Sequence, residues 1–287
     1  MTHYTINEVT SEKSDVTFRG IPYADADRTG HWSIWAISLL FQANRAVSMT
    51  NSFMHMNKLL MKNVGHVITK QILDINPLLY RYTYKTSIKL RFKMEMKEIG
   101  NSSIIFRTGL YDGETGLKLG QNVLKFVQIN TETRKSLPFP DWFQTSLSHL
   151  KMTGNSKYTS LNRATLPETP KNCFRWKVIV RYSDLDKNMH SNQATYLKLF
   201  MDCATKASTS GYYRHFKTDM CWFNVEHVSI NYIGESFVDD ELEVHTWQDN
   251  LEDCKIFFSC CKDKKRITFA EFRYGLERTK LLSSPKL

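Results

Sequence analysis

The sequence predicts an α+β fold of two tandem units, in each of which an antiparallel sheet wraps one long central helix. Three observations predict it. A nine-residue turn occurs twice, as "YADADRTGH" (Tyr23 to His31) and "YSDLDKNMH" (Tyr182 to His190). Each copy opens a stretch with apolar residues at helical spacing. Each such stretch is followed by four strand-like segments, an order that favours helices set against an antiparallel sheet.

The two turns align without a gap at an offset of 159 residues, Tyr23, Asp25, Asp27 and His31 falling on Tyr182, Asp184, Asp186 and His190. The same offset sets Leu40 and Phe41 on Leu199 and Phe200. A period this long signals duplication of a domain rather than a solenoid. In the second unit "RWKVIVRY" reads as the strand leading into the turn, and Leu197, Phe200, Met201 and Ala204 lie on one helical face. In the first unit a helix starts near Ile34, and "IWAISLLF" makes it apolar around most of its surface, the signature of a buried helix. The strands that follow read "HVITKQILDI", "TYKTSIKLRFKMEM", "SSIIFRTGLYD" and "KLGQNVLKFVQIN" in the first unit. In the second they read "CWFNVEHVSINYI", "DELEVHTWQD", "CKIFFSCCK" and "RITFAEFRYGL". "YDGETG" and the charged breaks at Asp249 to Asp253 and Asp263 to Lys265 read as turns. Pro138, Pro140, Pro167 and Pro170, with many Ser, Thr and Asn residues, mark a linker. The expected organisation is residues 1–137, a linker over 138–172, and residues 173–287.

At 287 residues, 41% hydrophobic and 24% charged, the chain has the make-up of a packed protein with a sizeable core. Its net charge of +10 suits an acidic partner, such as a phosphorylated cofactor or an acidic carrier protein, and equally a merely solubilising excess of Lys and Arg. The densest basic run, Lys262 to Arg266, is broken by Asp263 and reads as a solvated turn, so no nucleic-acid partner is expected. None of the six cysteines forms a C-x-x-C pair, and the opening "MTHYTINEVTSEKSD" has neither a secretory apolar core nor the arginines of a transit peptide. A reduced, cytoplasmic location is expected, without excluding an organelle, and no apolar run is long enough to predict a transmembrane segment.

The second turn gathers Asp184, Asp186, Asn188 and His190 within seven residues. The spacing D-x-D-x-N also begins a calcium loop, but that loop needs Gly at position six and Glu at position twelve, where Met189 and Thr195 stand. A zinc site would need a second His or paired Cys nearby. No metal is therefore expected. Asx turns favour the same residues for structural reasons, and Asp184 reads first as a turn cap.

This order of elements, with "SDLDKNMHSN" opening the second helix, resembles the hotdog fold and, more narrowly, the acyl-ACP thioesterase family, whose members carry two hotdog domains in one chain. "INYIGESFVDDEL" (Ile230 to Leu242) is a second matching segment. The resemblance implies Asp186, Asn188 and His190 from the turn, and Glu235 from the later strand, as catalytic residues. Ser236 stands where the family usually has Cys, which removes any cysteine nucleophile there. In the first unit Asp27 and His31 are kept, Thr29 replaces the Asn, and setting Ile75 against Ile230 places Tyr80 opposite Glu235, so that unit is expected to be inactive.

The implied reaction is hydrolysis of a fatty acyl thioester carried by acyl carrier protein or CoA, with no cofactor, in a chain able to form a homodimer. Backbone N–H groups near Ser191 to Ala194, at the helix N-terminus, are expected to face the developing oxyanion. His190 would polarise the carbonyl or relay a proton, Asn188 would position water or substrate, Asp186 would orient them, and Glu235 would act as general base. Two other readings stay open: an acyl-binding scaffold without turnover, and a dehydratase using the same groups for proton transfer.

Overall fold

The computed structural model describes residues 3–20, 23–83, 85–86, 88–151, 158, 161 and 165–278. In chain order the elements are β1 (Tyr4–Val9), β2 (Lys13–Arg19), α1 (Ile34–Thr50), α2 (Met56–Leu59), β3 (Val64–Ile75), β4 (Lys89–Ile99), β5 (Ser103–Asp112), β6 (Lys118–Asn130) and α3 (Asp141–Ser146). They continue with β7 (Phe174–Ile179), α4 (Gln193–Thr209), β8 (Phe223–Tyr232), β9 (Glu241–Gln248), β10 (Lys255–Lys262) and β11 (Lys265–Glu277). The result is a mixed α and β protein with extensive antiparallel pairing.

The chain divides into two compact units that are interleaved in sequence. The first comprises residues 1–20, 40–73 and 87–165; the second comprises 21–39, 74–86 and 166–287. The division falls within α1 and within β3.

In the first unit the strand order is β1-β2-β4-β5-β6-β3. β4 alternates strictly over its first half, with Leu90, Phe92, Met94 and Met96 buried, as a strand with one covered face must. The α1 residue Phe41 meets Phe92 edge-on at 5.3 Å, and Ser48 and Ser14 share a buried hydroxyl hydrogen bond of 2.7 Å. Within the stretch expected as linker, Phe139, Phe143 and Leu147 are buried in the core of this unit. The linker residues 152–157, 159–160 and 162–164 lie outside the described residues.

In the second unit the order is β8-β11-β10-β9-β7, with antiparallel registers throughout. α4 lies against β9 and β7. Its Phe200 is fully buried, stacked on Phe258 at 5.0 Å and edge-on to Phe272. Burying one such ring contributes about 2–3 kcal/mol. Asp263 and Lys264, both at positive φ, form the tight connection between β10 and β11.

The two predicted helices coincide at the offset of 159: Ile34–Thr50 against Gln193–Thr209. β3 and β8 also start at this offset, Val64 against Phe223. The apolar character of α1 overstates its burial at one position, since Leu39 is 42% exposed. Among the described residues no helix is long and apolar enough to cross a membrane.

Candidate active site

The second turn is built by its own hydrogen bonds. Tyr182–Asp184 form a 3-10 turn, and Asp184, buried, accepts the Arg181 N–H on its carboxylate at 2.9 Å. The Asp184 carbonyl then accepts both the Asn192 N–H and the Thr195 hydroxyl at 2.9 Å. Asp184 is thus a structural anchor of the helix start, as a turn cap would be. Next, Asp186 donates its N–H to the His190 carbonyl (2.8 Å), Met189 donates to the Asp186 carbonyl (3.0 Å), and the Asp186 carboxylate accepts the Asn188 N–H (2.8 Å). The last is an Asx turn. Met189 is forced to φ +62°.

The first copy repeats this bond by bond. Asp27 N–H donates to the His31 carbonyl (2.7 Å), Gly30 donates to the Asp27 carbonyl (2.9 Å), and the Asp27 carboxylate accepts the Thr29 N–H (2.8 Å), with Gly30 at φ +79°. Its side chains are committed elsewhere. Thr29 Oγ1 lies 3.1 Å from His31 Nδ1, and the Arg278 guanidinium donates to Thr29 (2.8 Å) and to the Asp27 carboxylate (3.3 Å). Arg278 also donates to Asn224 and lies 4.7 Å over the Tyr80 ring. Burial first, then the Arg278 charge, push the His31 pKa down. Tyr80 donates its hydroxyl to the Val225 carbonyl. Sequence reasoning missed Arg278 because it lies about 250 residues from the turn it fills.

Of the four expected site residues, the structure brings His190 and Glu235 together: His190 Nδ1 is 3.4 Å from Glu235 Oε1, with both side chains partly exposed. Asp186 and Asn188 are held in the same turn through the Asx bond, and Asn188 is exposed. Glu235 sits past the end of β8 rather than on a strand. The preceding Ile233 and Gly234 both donate N–H to the Ile267 carbonyl (2.8 and 3.0 Å). A Cβ at Gly234 would meet Ile267 Cγ2 at 2.9 Å, so only Gly fits this approach. Beyond it, Phe237 donates its N–H to Asp240 (2.7 Å), which Lys262 pairs at 2.6 Å. Phe237 meets the His190 ring edge-on at 5.1 Å.

One expectation is corrected. Three of the N–H groups over Ser191 to Ala194 are engaged inside the protein. Ser191 donates to the Ser236 carbonyl (2.8 Å), Asn192 to the Asp184 carbonyl (2.9 Å), and Ala194 to the Asn192 side chain (2.9 Å). They cannot serve as unpaired donors to an oxyanion. The side chains of His190 and Asn188 are polar groups of the turn suited to that task.

No thiol takes the place of a nucleophile here. Ser236 is fully buried, and burial pushes the Cys221 thiol up to about 12 and the Cys203 and Cys260 thiols higher still. Among the described residues no group of three His, Cys, Asp or Glu side chains is arranged to hold a metal.

Residues 168–271 match the model of the acyl-ACP thioesterase C-terminal domain. The 12:0-ACP thioesterase of Umbellularia californica shares the fold over 93% of this chain and 99% of its own, at a TM-score of 0.71 and 15% identity. An acyl-ACP thioesterase of Bacteroides thetaiotaomicron does so over 92% and 98%, at a TM-score of 0.67 and 13% identity. No curated protein sequence matches the chain. The segment matched over residues 168–271 contains the turn, α4, β8 and Glu235 together, so the similarity to the acyl-ACP thioesterase C-terminal domain spans the whole candidate site.

Proposed function

We propose that this protein hydrolyses fatty acyl thioesters, releasing a free fatty acid and a thiol, at a site formed by Asp186, Asn188, His190 and Glu235. The observation that carries the reading is the approach of His190 Nδ1 to Glu235 Oε1 at 3.4 Å inside the matched domain. In the chemistry proposed, the Glu235 carboxylate takes a proton from water as the water oxygen adds to the thioester carbon. His190, carrying both ring protons, faces Glu235 with Nδ1–H and donates Nε2–H to the carbonyl oxygen, and Asn188 adds its amide. Collapse of the tetrahedral intermediate breaks the C–S bond, and the proton passes from Glu235 to the departing sulfur. Asp186 holds the turn in shape through the Asn188 N–H.

Two finer statements belong to the same proposal. The architecture is read as tandem hotdog domains, supported by the helices and turns that repeat at an offset of 159 residues. The duplicated segments are residues 1–137 and 173–287, joined by 138–172, with the first copy retired from catalysis. The carrier is read as an acidic acyl carrier protein or CoA, which the net charge of +10 suits. The test is thiol release across a panel of acyl-ACP and acyl-CoA substrates of several chain lengths. Release by the wild type and its loss in His190→Ala support the reading, and no release on either carrier overturns it.

A further inference from the structure

We infer that Ser191, Tyr196 and Ser236 form a buried hydroxyl network that sets the spacing of His190 and Glu235, which makes Ser236 a positioning residue. The inference rests on the functional reading above. Ser191 directly follows His190, and Ser236 directly follows Glu235. Two hydrogen bonds join these two neighbours: Ser191 N–H to the Ser236 carbonyl at 2.8 Å, and the Ser236 hydroxyl to Ser191 Oγ at 2.7 Å. Each acting side chain is therefore one residue from a doubly bonded link between the helix start and the loop after β8.

Tyr196 completes the network from within α4. Its hydroxyl lies 2.9 Å from Ser236 Oγ, which in turn donates to Ser191. Since Ser236 gives its single proton to Ser191, Tyr196 is the donor to Ser236. All three residues are buried, Ser236 completely. Burial drives the Tyr196 phenol well above its ordinary pKa, so it stays a donor wherever the protein works. Water cannot replace a lost member at this depth without rearrangement, and the remaining hydroxyls would be left without partners.

The position after the carboxylate therefore needs a small, strong hydrogen-bond donor rather than a nucleophile. Ser meets that need, Cys is a weaker donor, and Ala is none. A catalytic group displaced by about 1 Å loses on the order of 100-fold in rate. The backbone bond from Ser191 to Ser236 survives substitution, so the link loosens without being cut.

The experiment compares the wild type with Ser236→Ala, Ser236→Cys and Tyr196→Phe. Two quantities are read: kcat and KM for thioester hydrolysis, and the His190 ring resonances by NMR at one fixed pH. A positioning role predicts that Ser236→Ala lowers kcat about 10- to 100-fold while KM changes less than about 2-fold. Ser236→Cys should fall between Ala and wild type, Tyr196→Phe should show the same split, and the His190 resonances should move in each. If Ser236→Ala and Tyr196→Phe keep wild-type kcat and leave the His190 resonances in place, the network is only structural and the inference fails. If Ser236→Ala does not fold, Tyr196→Phe decides by both readouts. If the wild type itself releases no thiol, the functional reading fails, and the His190 resonances still decide the positioning role.

Discussion

His190 Nδ1 and Glu235 Oε1 stand 3.4 Å apart, although their residues are 45 positions apart and lie on a helix-opening turn and a loop after β8. At that distance the contact is longer than an ordinary hydrogen bond, with no room for a water between. Two unlike substitutions should separate their roles. On the proposed mechanism His190→Ala removes the group facing the thioester oxygen, and loss of one such donor costs about 10²–10³ in kcat. Glu235→Gln keeps shape and hydrogen bonding and removes the proposed base, costing about 10²–10⁴. The double variant should be no slower than the worse single one, because the two act as a unit. Additive losses in kcat would show that they act independently.

Much of this arrangement was legible in the sequence because it is local. Strand alternation around Phe92, the Asx turn at Asp186 and the start of α4 at Gln193 all depend on residues within a few positions of one another. The partner of the Ser191 N–H was not legible, because the Ser236 carbonyl reaches it across 45 residues. The same is true of Arg278, whose place in the first turn depends on where β11 ends. The interleaving of the two units was hidden for a different reason: α1 reads as one continuous helix, and hydrophobic periodicity says nothing of which core each of its turns joins.

Arg278 and Asp27 form a pair that is almost fully buried, at 3.3 Å. Removing one member of such a pair leaves a buried charge without compensation and costs about 3–5 kcal/mol. Arg278→Met should therefore lower stability by that order, read as a lower urea midpoint. Adding Asp27→Asn to Arg278→Met should recover part of the loss, since the stranded charge is then gone. A loss under about 1 kcal/mol for Arg278→Met would mean that the pair is open to water in solution.

Met189 holds φ +62° in the second turn, where the first turn has Gly30 at φ +79°. Left-handed backbone costs a residue with a Cβ about 1–2 kcal/mol. Glycine removes that strain and adds roughly 0.5–1 kcal/mol of unfolded-state entropy. Met189 is 56% exposed, so its side chain has little packing to lose. Met189→Gly should raise stability by up to about 1 kcal/mol, and Met189→Val should lower it. Thermal melts of both variants check this, and a clear drop for Met189→Gly would show that the methionine side chain makes contacts that outweigh the strain.

His66 gives the first unit a defined acid sensitivity. Its ring stacks on Phe126 at 5.1 Å with the planes 7° apart, and its Nε2 is buried without a hydrogen-bond partner. Burial pushes its pKa down to about 4. A histidine with a depressed folded pKa is neutral in the folded state while the unfolded chain takes up a proton. Its contribution is fully present above about pH 6.5 and is lost as the pH falls from there toward 4, below which both states are charged. The full window corresponds to a loss of at most about 3 kcal/mol. The unfolding midpoint should therefore fall between pH 6.5 and 4 in the wild type. In His66→Phe, which keeps an aromatic ring against Phe126 and has nothing to protonate, it should fall by distinctly less over the same range. Equal slopes in the two proteins would place the acid sensitivity in other groups.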